Sequence, residues 1–128
     1  MSLSDKLFAT TLFVTDKSAA KSFYEKAFEK SSVFEDEHSV VFEFGEVLIN
    51  LLVESEAPSL INPAPVATQE SGSRIQFTVQ VENVDARAQR LASLGIPLVN
   101  GPLDRPWGIR TILVSDPDGH LWELAQVI

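Results

Sequence analysis

Residues 74–95 read RIQFTVQVENVDARAQRLASLG, and two periods meet within them. Ile75, Phe77, Val79 and Val81 alternate with Arg74, Gln76, Thr78 and Gln80, the period of two expected of a strand with one apolar face. Asn83 is then a suitable helix N-cap, and Val84, Ala88, Leu91 and Leu94 follow helical spacing up to Gly95, where a helix would stop. A strand feeds an amphipathic helix.

The same order occurs near the N-terminus. LFATTLFV (7–14) reads as a strand and Asp16 as a cap, and Ala20, Phe23, Tyr24, Ala27 and Phe28 form an apolar helical stripe. Each helix is followed by three short apolar runs: SSVFED, SVVFEF and EVLINLLV in the first half, IPLVNG, IRTILVS and HLWELAQV in the second. A βαβββ pattern therefore appears twice, which predicts two similar modules of an α+β protein rather than one irregular fold. The modules cover about 5–54 and 74–128, within a single domain spanning 1–128. Between them, about 55–73, lies a stretch with Pro58, Pro63 and Pro65 and no periodicity, which reads as a linker, with a lid as the alternative.

Composition narrows the function classes. A net charge of −8 argues against nucleic acid and anionic membranes, which need a basic face. With no cysteine there is no disulfide, thiol nucleophile or thiolate metal ligand. The early apolar residues alternate with threonine as in a strand instead of forming a leader, and VLINLLV is too short to cross a bilayer. A cytoplasmic protein is the expectation.

The segment DRPWGIRTILVSDPDGHLWELAQ (104–126) and the junction VQVENVDA (79–86) resemble the vicinal oxygen chelate superfamily, which includes glyoxalase I, extradiol dioxygenases, fosfomycin-resistance enzymes and bleomycin-resistance proteins. The doubled βαβββ pattern extends the resemblance over essentially the whole chain. It implies curved sheets forming a U-shaped groove, often completed by a second subunit, and hence a homodimer. It also implies a divalent metal held by side chains from the first and last strand of each module. Carried onto this chain, those positions are Ala9, Asn50 (with Ile49 as the alternative register), Gln76 and Glu123. One carboxylate, two amides and an alanine make a poor donor set, so these positions read as vestigial and no cofactor is expected. A divalent-metal enzyme of the lactoylglutathione lyase or dioxygenase type remains the alternative, with Glu43 as a substitute ligand. His38, in a turn, and His120, at the start of the last strand, read as structural.

Without a metal, Glu123 is the candidate catalytic or ligand-facing carboxylate. Alternation puts Leu121, Glu123 and Ala125 on one face and Trp122 and Leu124 on the other, toward a helix. Phe13, Asn50, Gln76, Thr78, Trp107, Arg110 and Glu123 then form the expected amphipathic site for a small organic ligand. Trp107, between Pro106 and Gly108, stacks on that ligand or packs on a partner subunit. Glu123 meets either an arginine of its own chain, Arg110 or Arg74, or a donor of the ligand. The census supports binding of a small molecule rather than catalysis, and a degenerate member with only an interaction role is a third reading.

Overall fold

The computed structural model describes residues 5–128, which divide into two compact units with the boundary between Ala67 and Thr68. In the first, strand β1 (Ala9–Val14) leads into helix α1 (Lys17–Phe28), followed by β2 (Phe34–Glu35), β3 (Ser39–Phe44) and β4 (Val47–Val53). The sheet order is β1-β4-β3-β2, with β4 returning parallel to β1 and the other pairs antiparallel. Helix α1 starts where expected: the Asp16 side chain accepts from Ala19 N at 3.1 Å, filling one of the free amide donors of the first turn. Ala20, Phe23, Tyr24 and Ala27 are buried against Leu12, Val14, Val40, Phe42, Ile49 and Leu51 of the sheet. Tyr24 anchors this core, stacking on Phe28 at 5.8 Å between ring centroids and meeting Phe42 at 5.8 Å. Each fully buried side chain of that size contributes roughly 1.5–3 kcal/mol relative to exposure.

The connecting segment is more ordered than its composition predicts. Glu54–Glu56 and Gln69–Ser71 form single turns of 3-10 helix, and α2 (Pro58–Ile61) follows the first of them. Pro58 lies in the first turn of α2, where its missing N–H leaves no helical bond unmade, and the buried methyl of Ala57 holds the turn in place.

The second unit repeats the first. Strand β5 (Gln76–Gln80) leads into α3 (Val84–Ser93), then β6 (Asn100–Arg105), β7 (Ile109–Ser115) and β8 (Leu121–Val127), in sheet order β5-β8-β7-β6. Asn83 caps α3 by accepting from Ala86 N at 3.0 Å, and Gly95 (φ 76°) lets the chain leave the helix. Val84 and Leu91 of the helix are buried, as are Ile112, Val114, Trp122 and Leu124 of the sheet. Trp122 stacks on Phe77 at 4.7 Å between centroids.

The strand expected at IPLVNG lies instead at Asn100–Arg105. The pairing with β7 is interrupted between Asn100 and Leu103, where Gly101 (φ 89°) brings its backbone so close to the Thr111 carbonyl that a Cβ could not be accommodated. Asp104 and Arg105 therefore belong to a strand, and the loop between β6 and β7 shrinks to Pro106–Gly108. No helix among the described residues is long and apolar enough to cross a membrane.

Candidate functional site

The sheet of each module has one face under its helix and one face away from it. On the second module's open face, the parallel β5–β8 pairing sets Gln76 opposite Leu121, Thr78 opposite Glu123 and Gln80 opposite Ala125. The antiparallel β7–β8 pairing adds Leu113 beside Glu123 and Thr111 beside Ala125. Trp122 and Leu124 point the other way, into the core, as alternation predicts. Glu123 is half-buried, and its Oε1 accepts from the Thr78 hydroxyl at 3.0 Å. That bond fixes the carboxylate on the sheet surface and leaves its second oxygen for another donor.

The first module carries the same arrangement with one charge fewer. Thr11 pairs with Asn50 across β1–β4 as Thr78 pairs with Glu123, and Asn50 Nδ2 donates to Thr11 Oγ1 at a long 3.4 Å. This register selects Asn50 as the counterpart of Glu123, while Ile49 is buried on the helix face. Phe13 lies on the same face as Asn50, opposite Leu52, and Glu43 lies there opposite Leu48. Ala9 is opposite Leu48, at the position matching Gln76.

Other expected participants lie elsewhere. Arg110 shares a face with Ile112 and Val114, but that face is the helix side of the sheet. Its guanidinium reaches Asp85 at 3.1 Å and Asp104 at 3.0 Å, and the hydrogen bonds it donates to Asp85 and then Asp104 raise its pKa above the ordinary arginine value. Of the alternatives for Glu123, the pairing with an arginine is not formed: Arg110 makes a clamp at the start of α3, and Glu123 bonds to Thr78. Trp107 stands 68% exposed at the tip of the β6–β7 hairpin. His120 Nδ1 lies 2.8 Å from Asp116 Oδ2 in the turn before β8, and His38 Nε2 lies 3.2 Å from Glu56 Oε1, so both histidines have local partners. Arg105, absent from the expected site, is a further residue on the Glu123 face. A strand beginning at Asn100 would have placed it there by parity with Leu103.

A model of the Glyoxalase/Bleomycin resistance protein/Dioxygenase superfamily matches residues 6–124. The chain belongs to this superfamily. Among curated relatives, it is 29% identical over 124 residues to an uncharacterized protein of Mycobacterium bovis, covering 91% of this chain and 80% of that one. It is 27% identical over 111 residues to metallothiol transferase FosB of Bacillus licheniformis, covering 87% of this chain and 68% of the transferase. Among solved structures, a glyoxalase-related enzyme from Fulvimarina pelagi superposes with a TM-score of 0.84 at 21% identity, covering 96% of this chain and 88% of that one. A lactoylglutathione lyase from Agrobacterium tumefaciens gives 0.74 at 24% identity, covering 98% and 96%. At these identities the structures establish the fold and nothing finer.

The superfamily implies a divalent metal, and the donors of this member do not fit one. Of Ala9, Asn50, Gln76 and Glu123 only the last carries a carboxylate, and it already accepts from Thr78. Among the described residues no three His, Cys, Asp or Glu side chains are gathered as a metal ion would need.

Proposed function

We propose that this superfamily member binds a small organic molecule on the open face of its second sheet, where Glu123 meets a donor of the ligand instead of a metal. The observation that carries the reading is the Thr78–Glu123 hydrogen bond of 3.0 Å, which holds a carboxylate in place on a surface flanked by the half-buried Leu113 and Leu121. A few fixed polar groups on an apolar wall are the usual make-up of a small-molecule site. Gln76, one pair along on the same face, adds an amide donor and acceptor. Binding is favoured over catalysis because this face holds no histidine, and the Ser115 hydroxyl at its edge is turned to the Asp116 carbonyl at 2.9 Å. Relatives named metallothiol transferase and lactoylglutathione lyase support a small molecule as the ligand class. The reading includes a homodimer, supported by the exposed Trp107 and Val127 of the second unit, which a second copy would cover; sedimentation checks it.

The test combines elemental analysis of protein purified without chelator with a thermal-shift panel of hydrophobic, cationic and thiol-conjugate ligands. No stoichiometric metal is expected. A ligand at about a hundred times its Kd stabilises the fold by about 2.7 kcal/mol, and Glu123→Gln or Thr78→Val reduces that shift. Stoichiometric zinc, nickel, manganese or iron that is lost on Glu123→Ala would overturn the reading, as would a panel in which nothing raises the melting temperature.

A further inference from the structure

A second charged side chain shares the face that carries Glu123. Arg105 closes β6 opposite Ile109, and Leu103 lies opposite Thr111, so both β6 residues are on the side of Thr111, Leu113 and Glu123. Arg105 Nε donates to Thr111 Oγ1 at 3.1 Å, and Thr111 is fully buried. One of five guanidinium donors thus fixes the plane of the group. No carboxylate meets the other four among the described residues, because the nearby Asp104 is turned to the opposite face and pairs with Arg110. An always-charged, half-buried fork held by a neutral hydroxyl is a receptor for a planar oxyanion.

Its counterpart is Glu123. Thr111, which anchors the Arg105 guanidinium, pairs with Ala125, two residues along β8 from Glu123. Thr111 and Glu123 are thus diagonal neighbours about 7–8 Å apart, and Arg105 reaches in from β6 on the far side of β7. The half-buried Leu113 and the buried Ala125 lie between Thr111 and Glu123 on this face. The threonines do parallel work: Thr111 holds the cation and Thr78 holds the anion, each through a side-chain hydroxyl.

We propose that Arg105 and Glu123 are the two poles of a site for a zwitterion, a small molecule with a carboxylate at one end, an amine at the other and a short apolar segment between. The Arg105 Nη groups take the carboxylate in two parallel hydrogen bonds, Glu123 Oε2 takes the ammonium, and the spacer lies over Leu113. This rests on the proposed small-molecule reading of the same face and assigns the class of ligand it takes.

The test titrates the full chain, followed by NMR and calorimetry, with ε-aminocaproate, hexanoate and hexylamine. The first spans the two poles, and each of the others carries one end of it. Expected is binding of ε-aminocaproate about tenfold or more tighter than either single-ended compound, the difference that one charge-assisted hydrogen bond makes. Arg105→Gln removes the advantage over hexylamine, and Glu123→Gln removes the advantage over hexanoate. Thr111→Val, which keeps the shape and loses the hydroxyl, weakens ε-aminocaproate while leaving the melting temperature close to that of the parent. Equal binding of all three compounds, or ε-aminocaproate affinity unchanged in Arg105→Gln, overturns the proposal. If a member of the thermal-shift panel then still binds in a Glu123-dependent way, only the zwitterion assignment falls. If none does, the small-molecule reading falls with it.

Discussion

Replacing Asp116 by alanine removes the hub of the turn that delivers β8. The carboxylate side chain is fully buried, and its Oδ1 accepts from Asp118 N at 3.0 Å and from His120 N at 2.8 Å, while Oδ2 meets His120 Nδ1 at 2.8 Å. A hydrogen bond to a charged group contributes roughly 1.5–3 kcal/mol. Gly119 at the turn is exposed, so water reaches part of the freed backbone and the lower end applies to each amide. Two amide bonds at about 1.5 kcal/mol each give about 3 kcal/mol for Asp116→Ala. Asp116→Asn keeps the Oδ1 acceptor without its charge and is expected to cost about half of that. Urea unfolding followed by tryptophan fluorescence reads the difference, since Trp122 lies two residues beyond His120. With an m value of about 2 kcal/mol/M, the alanine variant shifts the midpoint down by about 1.5 M and the asparagine variant by less than 1 M. A shift under about 0.5 M for alanine, or equal shifts for the two variants, would refute the claim that this carboxylate holds the turn through its acceptor oxygens.

Two further outcomes follow from features away from that turn. Gly101→Ala places a Cβ against the Thr111 carbonyl at a φ of 89°, so urea unfolding should show a loss of at least about 2 kcal/mol, with weaker ε-aminocaproate binding because Thr111 supports Arg105. The Glu35 carboxylate is held below its usual pKa by hydrogen bonds from Lys21 and then Lys17, and Lys21 is raised in turn by Glu35. The contribution of Glu35 is present above the ordinary carboxylate pKa and is lost as pH falls through its depressed value; that of Lys21 is present below the ordinary lysine pKa and is lost as pH rises through its raised value. The melting-temperature gap between parent and Glu35→Gln should therefore be widest at intermediate pH and close at both extremes. A gap independent of pH would remove the ion pair from the account.

Residues with strong local periods were legible in the sequence. Alternation in QFTVQ and helical spacing after Asn83 gave β5 and α3 within two residues, and both N-caps bond as expected. Parity along β8 correctly separated Glu123 from Trp122 and Leu124. Parity also grouped Arg110 with Ile112 and Val114, but it cannot say which face of a strand is covered when both faces carry apolar residues. Helix α3 covers the face of Ile112 and Val114, and Asp85, 25 positions away in the chain, meets the guanidinium there. Strand β6 was hidden because NGPLDR looks like a turn: its pairing with β7 survives only through a break at Gly101–Pro102, a long-range accommodation with no local signature. Arg105 was lost with it.

In each sheet, the strand made last is an inner one: β4 lies between β1 and β3, and β8 lies between β5 and β7. A ribosome therefore extrudes every outer strand of a module before the strand that joins them. Until β8 emerges, β5 and the β6–β7 hairpin have no common neighbour, and Phe77 lacks the indole it stacks on. A premature stop anywhere before Leu121 would thus leave the second module as separate pieces with unpaired backbone edges, the form of nascent chain most prone to aggregate.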